Sequence, residues 1–248
     1  MDSFISWVGG KKLLRKKIIE QFPEGGYDRY IEVFGGAGWV LFAKERHAEL
    51  EVYNDVNSNL VNLYRCVKYH PEALQKELDG LLMSRELFYD AAENIRGLTD
   101  IQKAARFWLT IKESYGADGR TFGGRPKDLG KAVDFLQLAS GRLRMMVIEN
   151  LDFERLIRNY DRDSALFYLD PPYYDAEKYY PDRFNPEDHD RLHDALAQVK
   201  GRFVLSYNDC PEIRQLYSGY KMVQVDRSDN LAVRAGARRY HELIITNY

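Results

Sequence analysis

Strand patterns and helix patterns alternate along the first 70 residues of the chain. Strands are predicted at residues 29–34 and 51–54, and helices at residues 12–22, 40–47 and 57–69. This alternation is typical of a parallel sheet that carries helices on its faces. The pattern therefore predicts an α/β domain.

The strand patterns disappear between residue 71 and about residue 140. Helices are predicted at residues 71–82, 84–95 and 100–112, and a further helix begins at Lys131. The glycine-rich segment SYGADGRTFGGRPKDLG separates that last helix from the others. Such an interruption predicts a helical insertion, to which we assign residues 71–144.

Strand patterns resume after the insertion and again alternate with helices. The strands are predicted at residues 146–148, 165–169, 203–206, 221–225 and 242–246. The helices between them are predicted at residues 153–160, 187–199 and 211–217. We therefore expect one domain formed by residues 1–70 and 145–248, with the helical insertion between its two parts.

The composition is that of an ordinary globular chain, with 248 residues, a net charge of −2 and two cysteines. No apolar run approaches the roughly 20 residues that a membrane span needs, so we expect a cytoplasmic protein. A monomer is the default expectation for its oligomeric state. Basic residues cluster at 11–17, 120–131, 142–144 and 234–239. These clusters could bind a polyanion, although solvated helix faces would explain them equally well.

A glycine turn follows the first predicted strand in the segment EVFGGAG, residues 32–38. Gly35, Gly36 and Gly38 would allow a ligand to approach the backbone closely, and Asp55 at the end of the second strand could accept hydrogen bonds from a ribose. The spacing differs from the G-x-G-x-x-G of dinucleotide enzymes and suits a cofactor without phosphate, such as S-adenosylmethionine. Alternatively, the glycines serve packing and Asp55 caps the helix near Asn57.

The segment DPPY, residues 170–173, follows the strand pattern at 165–169. Because proline fixes its own φ and restricts the residue before it, Asp170 is held in one geometry. Asp170 and the carbonyl of Pro171 could grip an exocyclic amine, while the Tyr173 ring offers a stacking face for a planar base. This chemistry needs no metal. The alternative is a tight turn with surface tyrosines.

The motifs and their order resemble the Dam-type DNA adenine-N6 methyltransferases, in which DPPY is the catalytic signature. SWVGGKKLL, residues 6–14, is similar to the N-terminal segment of that family, and EVFGGAG is similar to its cofactor loop, with Val33 and Trp39 as departures. VYNDVNSNLVNLYR resembles the second-strand segment of the family, and ENLDFERLI, residues 149–157, resembles the segment that flanks the cofactor adenine.

The resemblance implies a seven-stranded Rossmann-like class I methyltransferase sheet with an inserted helical target-recognition lobe at 71–144. It also implies S-adenosylmethionine as cofactor, double-stranded DNA as partner, no metal, and methyl transfer to N6 of a flipped adenine. The implied cofactor-binding residues are Trp7, Lys11, Phe34, Gly35, Gly36, Gly38, Asp55, Asp152, Phe153 and Asp170. The implied catalytic residues are Asp170, Pro171, Pro172 and Tyr173.

The segment SYGADGRTFGGRPK departs from the longer hairpin of family members that read GATC. Arg120, Arg125 and Lys127 could contact phosphates or the acceptor edge of guanine, and Tyr115 or Phe122 could wedge into a base stack. We expect a flexible loop that becomes ordered on DNA. The recognition sequence does not follow from these residues.

Two kinds of alternative remain open at the level of sequence. The same motif serves methylation of other planar amines, such as cytosine N4, RNA adenine or a protein glutamine amide. A DNA-binding protein could also keep the fold without catalysis. The presence of Trp7, Lys11, Asp55 and DPPY together favours an active enzyme.

Overall fold

The computed structural model describes residues 1–81, 84–93, 96–124, 129–175, 184–228 and 239–248. Its strands are β1 Arg29–Glu32, β2 Leu50–Asn54, β3 Val147–Glu149, β4 Ala165–Leu169, β5 Arg202–Asn208, β6 Lys221–Ser228 and β7 Arg239–Thr246. Its α-helices are α1 Arg15–Ile19, α2 Ser58–Tyr69, α3 Pro71–Asp79, α4 Arg85–Glu93, α5 Asp100–Glu113, α6 Gly130–Leu143, α7 Phe153–Tyr160, α8 Glu187–Ala197 and α9 Pro211–Leu216. Within these ranges, no helix combines the length and the apolar composition needed to cross a membrane.

All the strands form one seven-stranded sheet in the order β3-β2-β1-β4-β5-β7-β6. Strands β1 to β5 pair in parallel, whereas β7 lies antiparallel between β5 and β6. The predicted Rossmann-like methyltransferase sheet is therefore confirmed. The strand order reverses between β1 and β4, and in open α/β sheets ligands bind beside the carboxyl ends of the strands at such a point.

The central strands of the sheet are buried on both faces, and their side chains alternate between two hydrophobic clusters. Tyr30 and Tyr168 point into a cluster with helices α2, α5 and α6. Ile31 and Phe167 point the other way, into a cluster with α7, α8 and α9. Because the period of a strand is two residues, neighbouring residues supply opposite faces. A sheet covered on both sides explains why these strands are almost continuously apolar.

The helices of the predicted insertion pack directly on the first of these clusters. Trp108 of α5 is fully buried there, and its indole N–H donates a hydrogen bond of 3.3 Å to the carbonyl of Phe4. Leu136 and Ala139 of α6 are buried in the same cluster. Residues of the 71–144 region thus complete the cover of the sheet, and their assignment to target recognition stays a prediction.

The helix predicted at residues 40–47 is wrong, since only one 3₁₀ turn forms there, at Leu41–Ala43. Lys44 is already extended, with ψ of 155°. The buried His47 ring donates from Nε2 to the carbonyls of Val40 and Leu41, at 3.0 Å and 3.2 Å. The Val40 carbonyl also accepts the N–H of Ala43 at 3.1 Å, which is the i→i+3 bond of the 3₁₀ turn. The helix predicted at 12–22 is also shorter, because the chain turns through i→i+3 bonds around Lys11 before α1 begins.

A buried ion pair joins α6 to the sheet. The Arg142 guanidinium donates two hydrogen bonds of 2.7 Å, one to each carboxylate oxygen of Glu51. It also donates to the carbonyls of Lys44 and Leu41, both at 3.0 Å. The side chains of Arg142 and Glu51 are only 7% and 6% exposed. Arg142 therefore fastens the last helix of the insertion to β2 and to the turn after the glycine loop.

Replacing Arg142 by alanine leaves the Glu51 carboxylate buried without its cation. We expect Arg142→Ala to lower the free energy of unfolding by about 3–5 kcal/mol, as measured by urea denaturation. Arg144→Ala is the matched control, because Arg144 lies two residues further along and is exposed. The control should change stability by less than about 0.5 kcal/mol. Equal losses in the two variants would contradict a structural role for the pair.

Glu32 ends β1 as a buried carboxyl group, only 2% exposed. Burial raises its pKa to about 8, the nearby Asp170 acts in the same direction, and the hydrogen bond of 2.7 Å donated by Tyr30 opposes the rise. Between its ordinary pKa of 4.5 and pH 8, the folded protein binds more protons at this site than the unfolded chain does. Stability therefore falls as pH rises through this window.

Glu32→Gln should remove this part of the pH dependence, because glutamine does not ionise. Between pH 4.5 and pH 8, the free energy of unfolding of the variant minus that of the wild type should increase by up to about 5 kcal/mol. Urea titrations at several pH values measure the difference. Glu149→Gln is the control, since Glu149 is a half-buried carboxylate that also accepts a tyrosine hydroxyl, from Tyr160. Parallel stability curves for wild type and Glu32→Gln would refute the assignment.

Candidate active site

A deep cleft opens at the carboxyl ends of β1, β2 and β4, where the strand order reverses. Its empty volume is about 980 Å³, with the open solvent at its mouth included. All ten residues that the sequence predicts to bind a cofactor line this cleft: Trp7, Lys11, Phe34, Gly35, Gly36, Gly38, Asp55, Asp152, Phe153 and Asp170. The carboxyl ends of parallel strands meet at one edge of a sheet, which is why motifs so far apart in sequence converge here.

The glycine turn is fixed from several sides. Gly36 has a positive φ of 49°, and its carbonyl accepts hydrogen bonds from the hydroxyls of Tyr53 and Tyr64, at 2.7 Å and 3.2 Å. A Cβ on Gly35 would lie 2.2 Å from the Tyr53 ring, so a side chain does not fit there. A Cβ on Gly36 would lie 3.1 Å from the Trp7 indole. These glycines let the backbone pass between aromatic rings at the floor of the cleft.

Asp55 links this turn to the start of α2. Its carboxylate accepts the backbone N–H of Gly36 at 2.8 Å and that of Asn57 at 2.8 Å. The side chain that caps α2 is that of Asn57, which accepts the N–H of Leu60 at 2.9 Å. Asp55 is thus a rigidly oriented carboxylate on the wall of the cleft rather than the helix cap.

Three phenylalanines form an apolar wall at one end of the cleft. The ring centroids of Phe34, Phe153 and Phe184 lie 5.6 to 6.0 Å apart. The guanidinium of Arg191 lies 4.1 Å from the Phe153 ring centroid and donates a hydrogen bond of 2.6 Å to Asp152. The wall combines stacking surfaces with a charged rim.

The other end of the cleft holds Asp170. The Lys11 ammonium lies 2.7 Å from Asp170 Oδ1, and the Ser206 hydroxyl donates to the same oxygen at 2.9 Å. Burial raises the pKa of Asp170, and the charge and hydrogen bond of Lys11 oppose this rise. Lys11 is only 4% exposed and also donates to the carbonyl of Gly9 at 2.9 Å. The N-terminal segment is thereby joined to the end of β4.

The rest of the DPPY turn lies beside this ion pair. Pro171 and Pro172 are buried, and Pro172 lines the cleft. The Tyr173 hydroxyl donates a hydrogen bond of 2.5 Å to Glu242 Oε2, and the Lys11 ammonium lies 4.7 Å from the Tyr173 ring centroid. The turn thus places a carboxylate at the cleft and an aromatic ring just beyond it.

Several residues at the site are absent from the sequence-based set. Ser206 and Glu242 come from β5 and β7, and Phe184 and Arg191 come from the chain after the DPPY turn. The sequence shows that Ser206 is a polar residue within an apolar strand. It does not show that the Ser206 hydroxyl donates a hydrogen bond to Asp170. Arg191 stands in a charged helix, where a solvated face is the simpler expectation.

The predicted DNA-binding loop forms a hydrogen-bonded turn over residues 114–124. The N–H of Tyr115 donates to the carbonyl of Thr121 at 2.7 Å, and that of Gly123 donates to the carbonyl of Glu113 at 2.8 Å. The Asp118 carboxylate accepts the N–H of Arg120 at 2.9 Å. Backbone bonds close this range into a compact turn, and the expectation of a flexible loop that becomes ordered on DNA stays a prediction.

The side chains of this turn divide into two kinds. Tyr115 is 66% exposed and Arg120 is also exposed, so both are accessible to a partner. Phe122 is half-buried, with its ring centroid 5.5 Å from that of Phe88 and the Arg85 guanidinium over it at 5.0 Å. Phe122 therefore packs against α4, and its role as a wedge in a base stack stays a prediction. Arg125 and Lys127, predicted to bind DNA, lie outside the described residues.

Comparison with known proteins identifies the family to which the chain belongs. The sequence model of the D12 class N6 adenine-specific DNA methyltransferases matches residues 7–231. Type II methyltransferase M1.LlaDCHI of Lactococcus lactis subsp. cremoris is 29% identical, over 99% of this chain and 95% of the relative. Type II methyltransferase M.MjaIII of Methanocaldococcus jannaschii is 28% identical, over 99% and 98% of the two chains. The DNA adenine methylase of Haemophilus influenzae is 23% identical, over 91% and 86%.

The family match covers nearly all of the chain. It includes the glycine turn after β1, Asp55 after β2 and the DPPY turn after β4, which all line the cleft. The resemblance stated from the motifs is thereby confirmed. The chain belongs to the D12 class N6 adenine-specific DNA methyltransferases.

Proposed function

We propose that this protein transfers a methyl group from S-adenosylmethionine to N6 of an adenine that is flipped out of double-stranded DNA. The observation that carries the proposal is the position of Asp170. Its carboxylate lines the inner end of the cleft, while Tyr173 of the same rigid turn lies just beyond it. A cofactor in the cleft and a base against Tyr173 would therefore meet at Asp170.

The charges of the cleft suit a cofactor without phosphate. Of the residues that the structure describes around the cleft, Lys11 and Arg191 carry positive charge. Each is paired with a carboxylate, Lys11 with Asp170 at 2.7 Å and Arg191 with Asp152 at 2.6 Å. A pyrophosphate would compete with both carboxylates, whereas a sulfonium and an amino group would be attracted to them. When bound, S-adenosylmethionine supplies an electrophilic methyl group on its sulfonium.

The remaining cofactor residues are assigned by the chemistry that they present. Phe34 and Phe153 offer aromatic faces for the adenine of the cofactor, and Asp152 an acceptor for its amine. Asp55 presents a fixed carboxylate to the ribose hydroxyls. Trp7 and Lys11 close the cleft from the N-terminal segment.

The target amine is activated by position rather than by a strong base. N6 of adenine lies inside the duplex stack, so the base has to be extruded before it reaches the turn. Asp170 and the carbonyl of Pro171 accept the two amine hydrogens, which directs the nitrogen lone pair away from conjugation with the ring. Tyr173 supplies a stacking face for the extruded base. Asp170 also lies where its carboxylate can accept the proton that the amine loses after methylation.

The exposed turn at 114–124 supplies the proposed contacts to DNA. Tyr115 carries an aromatic ring that can enter a base stack, and Arg120 carries a cation that can meet a phosphate. Arg125 and Lys127 follow in sequence and stay predictions. Two of the relatives are named Type II methyltransferases, which favours a site-specific enzyme.

The first test is transfer of a labelled methyl group from S-adenosylmethionine to DNA, followed by nucleoside analysis. We expect the label in N6-methyladenine. Asp170→Ala should slow transfer by at least about 10²- to 10³-fold, because its contacts to the amine are strongest in the transition state. Asp163→Ala, an exposed aspartate just before β4, should leave the rate unchanged.

Thermal denaturation of Asp170→Ala shows whether the loss of rate is a loss of fold, since the variant also leaves Lys11 without its closest carboxylate. Label in cytosine or in protein would refute the proposed substrate. An Asp170→Ala variant that stays folded and transfers at the wild-type rate would refute the proposed catalytic centre.

A second test concerns the turn at 114–124. If Arg120 meets a phosphate, Arg120→Ala should weaken DNA binding and reduce the slope of log affinity against log salt by about one. Tyr115→Ala should leave affinity nearly intact but reduce base extrusion, followed by the fluorescence of 2-aminopurine at the target position. Arg158→Ala, an exposed arginine on α7, is the control for the loss of one positive charge. Identical salt slopes for Arg120→Ala and Arg158→Ala would remove Arg120 from the interface.

A further inference from the structure

We propose that Glu242 is a positioning residue that fixes the ring of Tyr173 for the target base. The inference rests on the proposed function, because it assumes that the Tyr173 ring stacks on a base during methyl transfer. Glu242 is not among the residues that line the cleft, and the proposed role acts through the hydroxyl of Tyr173.

The Tyr173 ring packs beside Tyr207, with the ring centroids 6.3 Å apart, and also contacts two charged groups. The Tyr173 hydroxyl donates to Glu242 Oε2 at 2.5 Å, and the side chain of Glu242 is only 3% exposed. The Lys11 ammonium lies 4.7 Å from the ring centroid. The hydroxyl bond fixes the far end of the ring, and the ammonium is attracted to its π-system. A ring held in this way loses little freedom when a base arrives, which keeps the reacting groups in register.

The main chain of the turn is fixed separately. Asn208 of β5 accepts the N–H of Tyr174 at 3.0 Å and donates to the carbonyl of Tyr174 at 3.2 Å. Asn208 is the register partner of Glu242 in the antiparallel pair of β5 and β7. Strand β5 therefore holds the backbone of the DPPY turn through Asn208, while β7 holds the Tyr173 ring through Glu242. Loss of the Glu242 contact should release the ring without displacing Asp170.

A different role for Glu242 would be charge balance. Lys11 lies 2.7 Å from Asp170 and 3.9 Å from Glu242, so Glu242 could serve only to neutralise a buried ammonium. The two roles predict different behaviour. A hydrogen-bond acceptor can be replaced by the amide oxygen of glutamine, whereas a negative charge cannot. In addition, if Glu242 acts through the Tyr173 hydroxyl, then replacing Glu242 has no further effect on the rate once that hydroxyl has been removed.

The test measures single-turnover methyl transfer to duplex DNA at saturating S-adenosylmethionine for five proteins: wild type, Tyr173→Phe, Glu242→Ala, Glu242→Gln and the double variant Tyr173→Phe/Glu242→Ala. We expect Tyr173→Phe and Glu242→Ala each to slow transfer about tenfold and the double variant to be no slower than either, since both remove one interaction. Glu242→Gln should stay within about threefold of wild type. The affinity for S-adenosylmethionine should stay within about twofold throughout.

Tyr160→Phe is the matched control, because the Tyr160 hydroxyl donates to Glu149 at 2.7 Å in a tyrosine–glutamate pair outside the cleft. Its transfer rate should equal that of the wild type. Independent losses that multiply to about a hundredfold in the double variant, or a Glu242→Gln as slow as Glu242→Ala, would overturn the inference.

Two further outcomes separate this inference from the function on which it rests. If Glu242→Ala does not fold, Tyr173→Phe alone decides, since a wild-type rate in that variant would also overturn the inference. In either case a wild type that methylates adenine leaves the proposed function intact. A wild type that transfers no methyl group to adenine overturns both.

Discussion

The buried ammonium of Lys11 is the contact on which the arrangement of the site depends. It lies against the Asp170 carboxylate at 2.7 Å, donates to the carbonyl of Gly9 and stands over the Tyr173 ring. A charge taken this far from water is tolerated only when it is paired and hydrogen-bonded. The pairing therefore ties the N-terminal segment to the end of β4, and the cleft closes between them. The same pairing keeps Asp170 oriented even though burial raises its pKa.

A second constraint is the lack of space around the glycine turn. Tyr53 and Tyr64 stack with ring centroids 3.8 Å apart and both donate to the Gly36 carbonyl, while Asp55 accepts the Gly36 N–H. The turn is thus held from β2 and α2 together. Such a surface is formed before a ligand arrives, so binding does not have to order it.

Much of the fold could be predicted from the sequence. The parallel strands are apolar on both faces and end in turn residues, so their positions were found to within a few residues, as for the strand at 29–34 against β1 at Arg29–Glu32. The residues proposed to bind the cofactor line one cleft; most of them follow the carboxyl ends of parallel strands, whereas Trp7 and Lys11 come from the N-terminal segment before β1. Other features depend on contacts that no local pattern carries. The buried His47 ring bonds the carbonyls of Val40 and Leu41 where a helix at 40–47 is predicted, and backbone bonds close the 114–124 segment into a compact turn. Glu242 faces Tyr173 only because β7 inserts beside β5.

That insertion has a consequence for the order in which the protein is completed during synthesis. Strand β6 precedes β7 in the chain, yet in the described sheet its ladder partner is β7 and not β5. A ribosome-bound chain that has released β1 to β6 can assemble the parallel strands, but β6 has no place in the sheet until β7 has emerged. Glu242 arrives with β7, so Tyr173 of the DPPY turn gains its acceptor after the other strands of the described sheet have been made. Until β7 pairs with β5, the Tyr173 ring therefore has its neighbours Lys11 and Tyr207 but lacks the carboxylate that accepts its hydroxyl.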